Sequence, residues 1–186
     1  MIGGLDLKKT DIYKYYCKAY KLTDENSEGF FETVKDVYFT DEVQSLKQYE
    51  QHLDIDRLQH ITSVAFLTYI ICKKFSLNYN EAAIAATMHD LFYYDWRDGE
   101  TGGWHKLHGY KHPKYAALNA KELYPNLTPL EKDSISKHMW PLTIIPPKTK
   151  EGLIISLADK YCATRELMYS LNKKYKERFI KDIEGV

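Results

Sequence analysis

Four polar side chains stand on helix faces where apolar ones belong. His60 shares a face with Val64, Leu67 and Ile71, at offsets of four, seven and eleven residues. His89 follows Ala85 by one turn, and Asp90 follows Ala86. Asp159, in "GLIISLADKYCATRE", shares a stripe with Ile155 and Cys162. A lone histidine on an apolar face is usually a hydrogen-bonded core residue. A buried aspartate is harder to dismiss, because an unpaired carboxylate out of water costs several kcal/mol and demands a partner. These four residues fall on three helices that must pack within one core. If they converge, a divalent cation cancels the carboxylate charge and takes up the imidazole lone pairs. Imidazole nitrogen with carboxylate oxygen suits Fe, Mn, Co, Ni or Zn rather than Ca.

The elements that must position these groups read as helices. The strongest is "DRLQHITSVAFLTYIICKKF", from about Asp56 to Phe75, with Leu58, Ile61, Val64, Ala65, Thr68 and Cys72 at helical spacing. An alanine-rich helix from Asn80, taken as its cap, to Met88 delivers the His89–Asp90 pair. "PKYAALNAKELYP" is helical and stops at Pro125. "TPLEKDSISKHM" opens on Thr128 as cap, Pro129 at the first helical position and Glu131 closing a capping box. It ends at His138, directly before Trp140 and Pro141. A last long helix runs from about Lys150 to Tyr175. Upstream, "DIYKYYCKAYKLT" and "SEGFFETVKDVYF" are short amphipathic helices, and "TDEVQSLKQYE" starts on a Thr40 cap. Between residues 93 and 112 the chain reads as irregular, rich in glycine and aromatics. No segment reads as a strand, a repeat or a linker, so the expectation is an all-α, single-domain helical bundle over 1–186.

At 186 residues such a domain buries about 70% of its unfolded surface. Lys+Arg and Asp+Glu both number 26, leaving no net field to recruit a nucleic-acid polymer or an anionic membrane. No run of 18 apolar residues occurs, and "MIGGLDLKKTD" lacks the apolar stretch of a signal peptide. Cys17, Cys72 and Cys162 sit singly in apolar helical segments, which fits reduced, buried hydrophobes rather than a disulfide framework or thiolate site. The expectation is a soluble, cytoplasmic protein.

His60, then "HD" at 89–90, then Asp159 resembles the signature of the HD superfamily of metal-dependent phosphohydrolases. Helix type, order and spacing fit over about residues 54–166, leaving N-terminal helices over 6–50 and a C-terminal extension packed on that core. Arg57, three residues before His60, and "ADK" around Asp159 also resemble the family pattern. His112, in "HGYKHPKYAALNA", and His138, in "SISKHMWP", stand where binuclear members carry two further histidines. The resemblance implies a helical bundle of HD type with two divalent transition-metal ions. One is held by His60, His89, Asp90 and Asp159, the second by His112 and His138, with Asp90 bridging. Adjacent helical residues point about 100° apart, so His89 can address one ion while Asp90 reaches between two.

The implied activity is hydrolysis of a phosphoester by a metal-activated water, on a nucleotide or another small phosphorylated metabolite. The sequence holds no GxSxG elbow and no P-loop. Many relatives place a lysine three residues after the HD aspartate, where Tyr93 stands here. Arg97, Lys106, Lys114, Lys160 and Arg165 are candidate replacements. Of these, Lys160 and Arg97 join Asp90 as the expected catalytic set. His105 and His108 are candidates for the rim. Two other classes use the same residues: a di-iron oxygenase of HD type, and a non-catalytic metal-stabilised binding protein.

Overall fold

Helix α1 (Asp24–Tyr38) is the first element of the computed structural model, which describes residues 24–52, 55–96 and 107–171. The expected helix at 11–23, Cys17, Arg97, His105, Lys106 and the end of the last helix lie outside the described residues. Helix α2 (Asp41–Gln44) begins as expected on Thr40, whose hydroxyl accepts from Val43 N–H. It stops after one turn, and Ser45–Gln48 tighten into a 3₁₀ helix. Two strands follow, β1 (Glu50–His52) and β2 (Ile55–Asp56), paired antiparallel. The expectation of no strand is therefore corrected. Segments of three and two residues are too short to display a period-two pattern.

The second strand hands the chain straight to α3 (Arg57–Lys74). Asp56 accepts from Gln59 N–H at 2.8 Å, while the Gln59 side chain accepts from Asp56 N–H at 3.1 Å, a complete capping box. From Ile61 to Phe66 every residue of α3 is buried, so it is the central helix. Helix α4 (Tyr79–Met88) packs along it through Ala82, Ala83, Ala85 and Ala86, all fully buried. Its cap is Asn78, which accepts from Glu81 N–H, rather than Asn80. Both asparagines suit a helix start; the structure begins the turn two residues earlier.

Helix α5 (His108–Leu123) starts five residues before the expected Pro113, which lies inside it. Helix α6 (Pro129–Lys137) has the expected Thr128–Glu131 capping box. Helix α7 (Lys150–Leu171) packs on α3 and α6. Gly152 permits the second contact, since a Cβ there would stand 2.6 Å from Pro147 Cβ and 2.9 Å from Ser134 Oγ. On the opposite side of the core, α1 inserts Phe30 edge-on against Phe66 and Tyr69, at 5.0 and 5.8 Å between ring centroids. A side chain of that size contributes roughly 1.5–3 kcal/mol by burial. The described residues are all-α apart from the two-stranded ribbon. Cys72 and Cys162 are buried free thiols, and burial pushes the Cys72 thiol up to about 12. No described helix is long and apolar enough to cross a membrane.

Candidate metal centre

Five helices bring one group each, or two, to a single buried cluster. His60 sits on the first turn of α3, His89 is the C-cap of α4, and Asp90 follows it. His112 comes from α5, His138 is the C-cap of α6, and Asp159 lies midway along α7. All six are buried. The structure thus brings together every residue expected to ligate metal. His60, His89 and Asp90 offer ligand atoms within 4.8 Å of one another, and so do Asp90, His112 and His138.

Asp90 is common to these two groups, a third group of His89, His138 and Asp159 spans them, and the two Asp90 oxygens face different ways. Oδ2 lies 3.6 Å from His89 Nε2 and 3.9 Å from His60 Nε2. Oδ1 lies 3.2 Å from His112 Nε2 and 3.4 Å from His138 Nε2. Asp159 Oδ1 completes the first group, 3.1 Å from His60 Nε2 and 3.9 Å from His89 Nε2. Two ligands each about 2.1 Å from one ion stand about 3.0 Å apart at a right angle and about 3.4 Å apart at the tetrahedral angle. The separations of 3.1, 3.2 and 3.4 Å lie near these values, and those of 3.6 to 3.9 Å are wider.

The hydrogen bonds leave buried acceptors that a cation would satisfy. His89 Nδ1 is 2.7 Å from Ala86 O, His112 Nδ1 is 3.0 Å from His108 O, and His138 Nδ1 is 2.8 Å from Ile135 O. A carbonyl oxygen only accepts, so each Nδ1 carries the proton and Nε2 is the ring atom turned to the cluster. Two of these Nε2 atoms, on His112 and His138, stand 2.8 Å apart. His89 Nε2 and Asp90 Oδ1 are buried without any hydrogen-bond partner. Unsatisfied buried acceptors are costly, and a shared positive charge satisfies all of them at once. The donor set fits a divalent metal.

Electrostatics agree. Burial lowers the His89 imidazole to about 4, keeping the ring neutral and its lone pair available. Burial alone raises a carboxyl, yet His89 and His112 beside Asp90 outweigh it and hold that carboxyl well below the usual range. At Asp159 burial is likewise outweighed by the His60 hydrogen bond, His89 and Lys160, and the carboxyl stays ionised. Both acids are ready ligands.

A second layer, of which the sequence had pointed only to Arg57, holds these groups in place. Gln51, on β1, donates to Asp90 Oδ2 at 2.9 Å and accepts from Arg57 Nε at 3.0 Å. Arg57 is fully buried, lies 3.6 Å over the Phe92 ring, and donates to the carbonyls of Phe92 and Tyr94 at 2.6 and 3.1 Å. Burial lowers its guanidinium to about 10, still a cation. Glu166, on α7, meets His60 Nδ1 at 2.8 Å. The only advance signal for Glu166 was its place seven residues after Asp159, on the same helix face.

Beyond the cluster lies a cavity of about 210 Å³, walled by Asp90, His112, His138 and Asp159 together with Trp96, His108 and Lys160. Lys160 donates to Asp159 Oδ2 at 2.9 Å and to His138 O at 2.6 Å. It is the one lysine or arginine among the described lining residues. Lys114 is exposed elsewhere, and Arg165 donates to the Tyr161 hydroxyl. His108, rather than sitting in a loop, opens α5 and stacks between Trp96 and His112, at 5.5 and 4.5 Å.

The HD-domain family model matches residues 57–164, more than half of the chain. The chain belongs to the HD-domain family. No curated protein and no solved structure matches it. Membership puts the chain in a superfamily of metal-dependent phosphohydrolase type, and the clustered histidines and aspartates are compatible with the HD metal site. All six candidate ligands fall inside the matched residues, whereas Gln51 and Glu166 fall outside them.

Proposed function

We propose that this HD-domain protein hydrolyses a small phosphorylated metabolite, such as a nucleotide, with two divalent transition-metal ions. The observation that carries the reading is Asp90, whose two oxygens face two histidine pairs across a cluster that leaves His89 Nε2 and Asp90 Oδ1 buried without a hydrogen-bond partner. His60, His89, Asp90 and Asp159 would hold one ion, with His112, His138 and Asp90 holding the other. Such ions supply a water acidified to near-neutral pH and positive charge toward phosphate oxygens.

The protein's own groups do the rest. Gln51 fixes Asp90 through Oδ2 and is itself fixed by Arg57, so the shared carboxylate keeps one orientation. Lys160 sets its ammonium on the cavity wall beside Asp159, where it can meet a phosphate oxygen without leaving its anchor at His138 O. Trp96 and His108 present an aromatic surface to the remainder of the substrate. Arg97, expected beside Lys160 as a phosphate contact, keeps that role as a proposal. A cavity of about 210 Å³ suits a small molecule rather than a polymer.

Phosphate release from a panel of nucleotides and phosphate esters tests this, run with metal-loaded and metal-stripped protein, with and without dioxygen. Metal-dependent, oxygen-independent release is the expected result. Turnover that requires dioxygen would establish the oxygenase chemistry instead. Bound metal without turnover on any substrate would favour a metal-stabilised binding protein.

A further inference from the structure

The four imidazoles of the cluster are not held alike. His89, His112 and His138 each give their Nδ1 proton to a backbone carbonyl of their own helix, three or four residues back. His60 instead has a carboxylate at Nδ1, Glu166 Oε2 at 2.8 Å, contributed from α7 across the core. The Glu166 side chain is only 10% exposed, so water screens this contact little. Seven residues separate Asp159 from Glu166, and one face of α7 therefore grips both ring nitrogens of His60: Asp159 at Nε2, Glu166 at Nδ1.

A carboxylate behind an imidazole makes it a stronger donor than a carbonyl does, and it locks ring orientation and tautomer. We infer that Glu166 is a positioning residue that makes the His60–His89–Asp159 side the tighter of the two metal sites, so that this side fills first. The inference rests on the two-ion reading above and adds an order of loading to it. Charge favours the same order. Beyond the shared Asp90, that side holds two further carboxylates, Asp159 and Glu166, with Lys160 beside Asp159. The His112–His138 side has only its share of Asp90. No family resemblance supplied Glu166, which lies beyond the matched residues.

Titration of metal-stripped protein with Co²⁺ tests this, read by visible absorption and by competition with a chelator. Wild type should bind two equivalents in separate steps. Glu166→Gln keeps a neutral hydrogen-bond acceptor in the same place, and circular dichroism of the stripped variant checks its fold. Glu166→Ala serves the same test if the glutamine variant does not fold. The tighter step should weaken by roughly 10–100-fold, with the weaker step unchanged. Unchanged constants for both steps would overturn the role of Glu166 while leaving two bound ions intact. Equal weakening of both steps would overturn it too, as the mark of general damage. A wild type that takes up no Co²⁺ would overturn the metal reading itself, and this inference with it.

Discussion

The two halves of the cluster are built on different principles. The His60–His89–Asp159 half draws on the three helices that pack most intimately, and its charges are already answered: Asp159 by Lys160, His60 by Glu166. The His112–His138 half has no carboxylate but Asp90. His112 lies in the early turns of α5, His138 caps α6, and their Nε2 atoms stand 2.8 Å apart. The first half is joined by hydrogen bonds from His60 to Asp159 and Glu166, with His89 Nε2 left over; the second takes its one carboxylate from Asp90. Asp90 is the hinge between a preformed site and a dependent one.

The largest test of that contrast removes a ligand from the preformed half. Asp159→Ala leaves His60 and His89 without a carboxylate and frees Lys160 from its anchor. Wild type at an ion concentration a thousandfold above Kd should gain about 4 kcal/mol of stability from the metal, on the order of 10 °C in melting temperature for a chain of this size. Chelation should abolish that gain in wild type and barely move Asp159→Ala. Thermal melts with and without chelator check it; equal chelator responses would show Asp159 to be no ligand.

Next in size is the hinge itself. Asp90→Asn preserves shape but removes the charge shared by the two sides. Elemental analysis should find the dependent ion lost and the other kept, and phosphate release should fall by about two orders of magnitude or more. Two ions retained at full activity would erase the distinction between the halves.

Gln51→Leu strikes one layer further out. It removes the donor to Asp90 Oδ2 and leaves Arg57 Nε without its acceptor. Loss of an outer partner of this kind costs roughly 10–100-fold in metal affinity or activity, measurable as kcat/KM with both ions saturating. The smallest contrast pairs two lysines. Lys160→Met should weaken kcat/KM by about tenfold, the worth of one charge-assisted hydrogen bond. Lys114→Met should change it less than twofold, because Lys114 is exposed and does not line the cavity. Parallel steady-state kinetics on the pair decide between them.

Much of this was legible because buried polar groups on apolar faces have few explanations. His60 beside Val64 and Asp159 beside Ile155 point to a site when taken together with the His89–Asp90 pair, and the capping box at Thr128 marks where its helix begins; the one at Asp56 came with the structure. The supporting layer was not legible. Gln51 sits on a strand of three residues, too short for any pattern, and its partners are 6 and 39 positions away. Glu166 meets a histidine 106 residues earlier, and in sequence it resembles any acid on a solvated helix end. The start of α5 was misplaced because Pro113 is a natural first residue of a helix. The turn before it is held by its own side chains, through His112 Nδ1 on His108 O and the ring stack of the same two residues.

A crystal structure of the protein grown with Mn²⁺ or Co²⁺, with anomalous data at the metal edge, tests the two-ion account most directly. Two anomalous peaks are predicted, one among His60, His89 and Asp159 and one between His112 and His138, with Asp90 touching both. A single peak, or two peaks that Asp90 does not join, would contradict it.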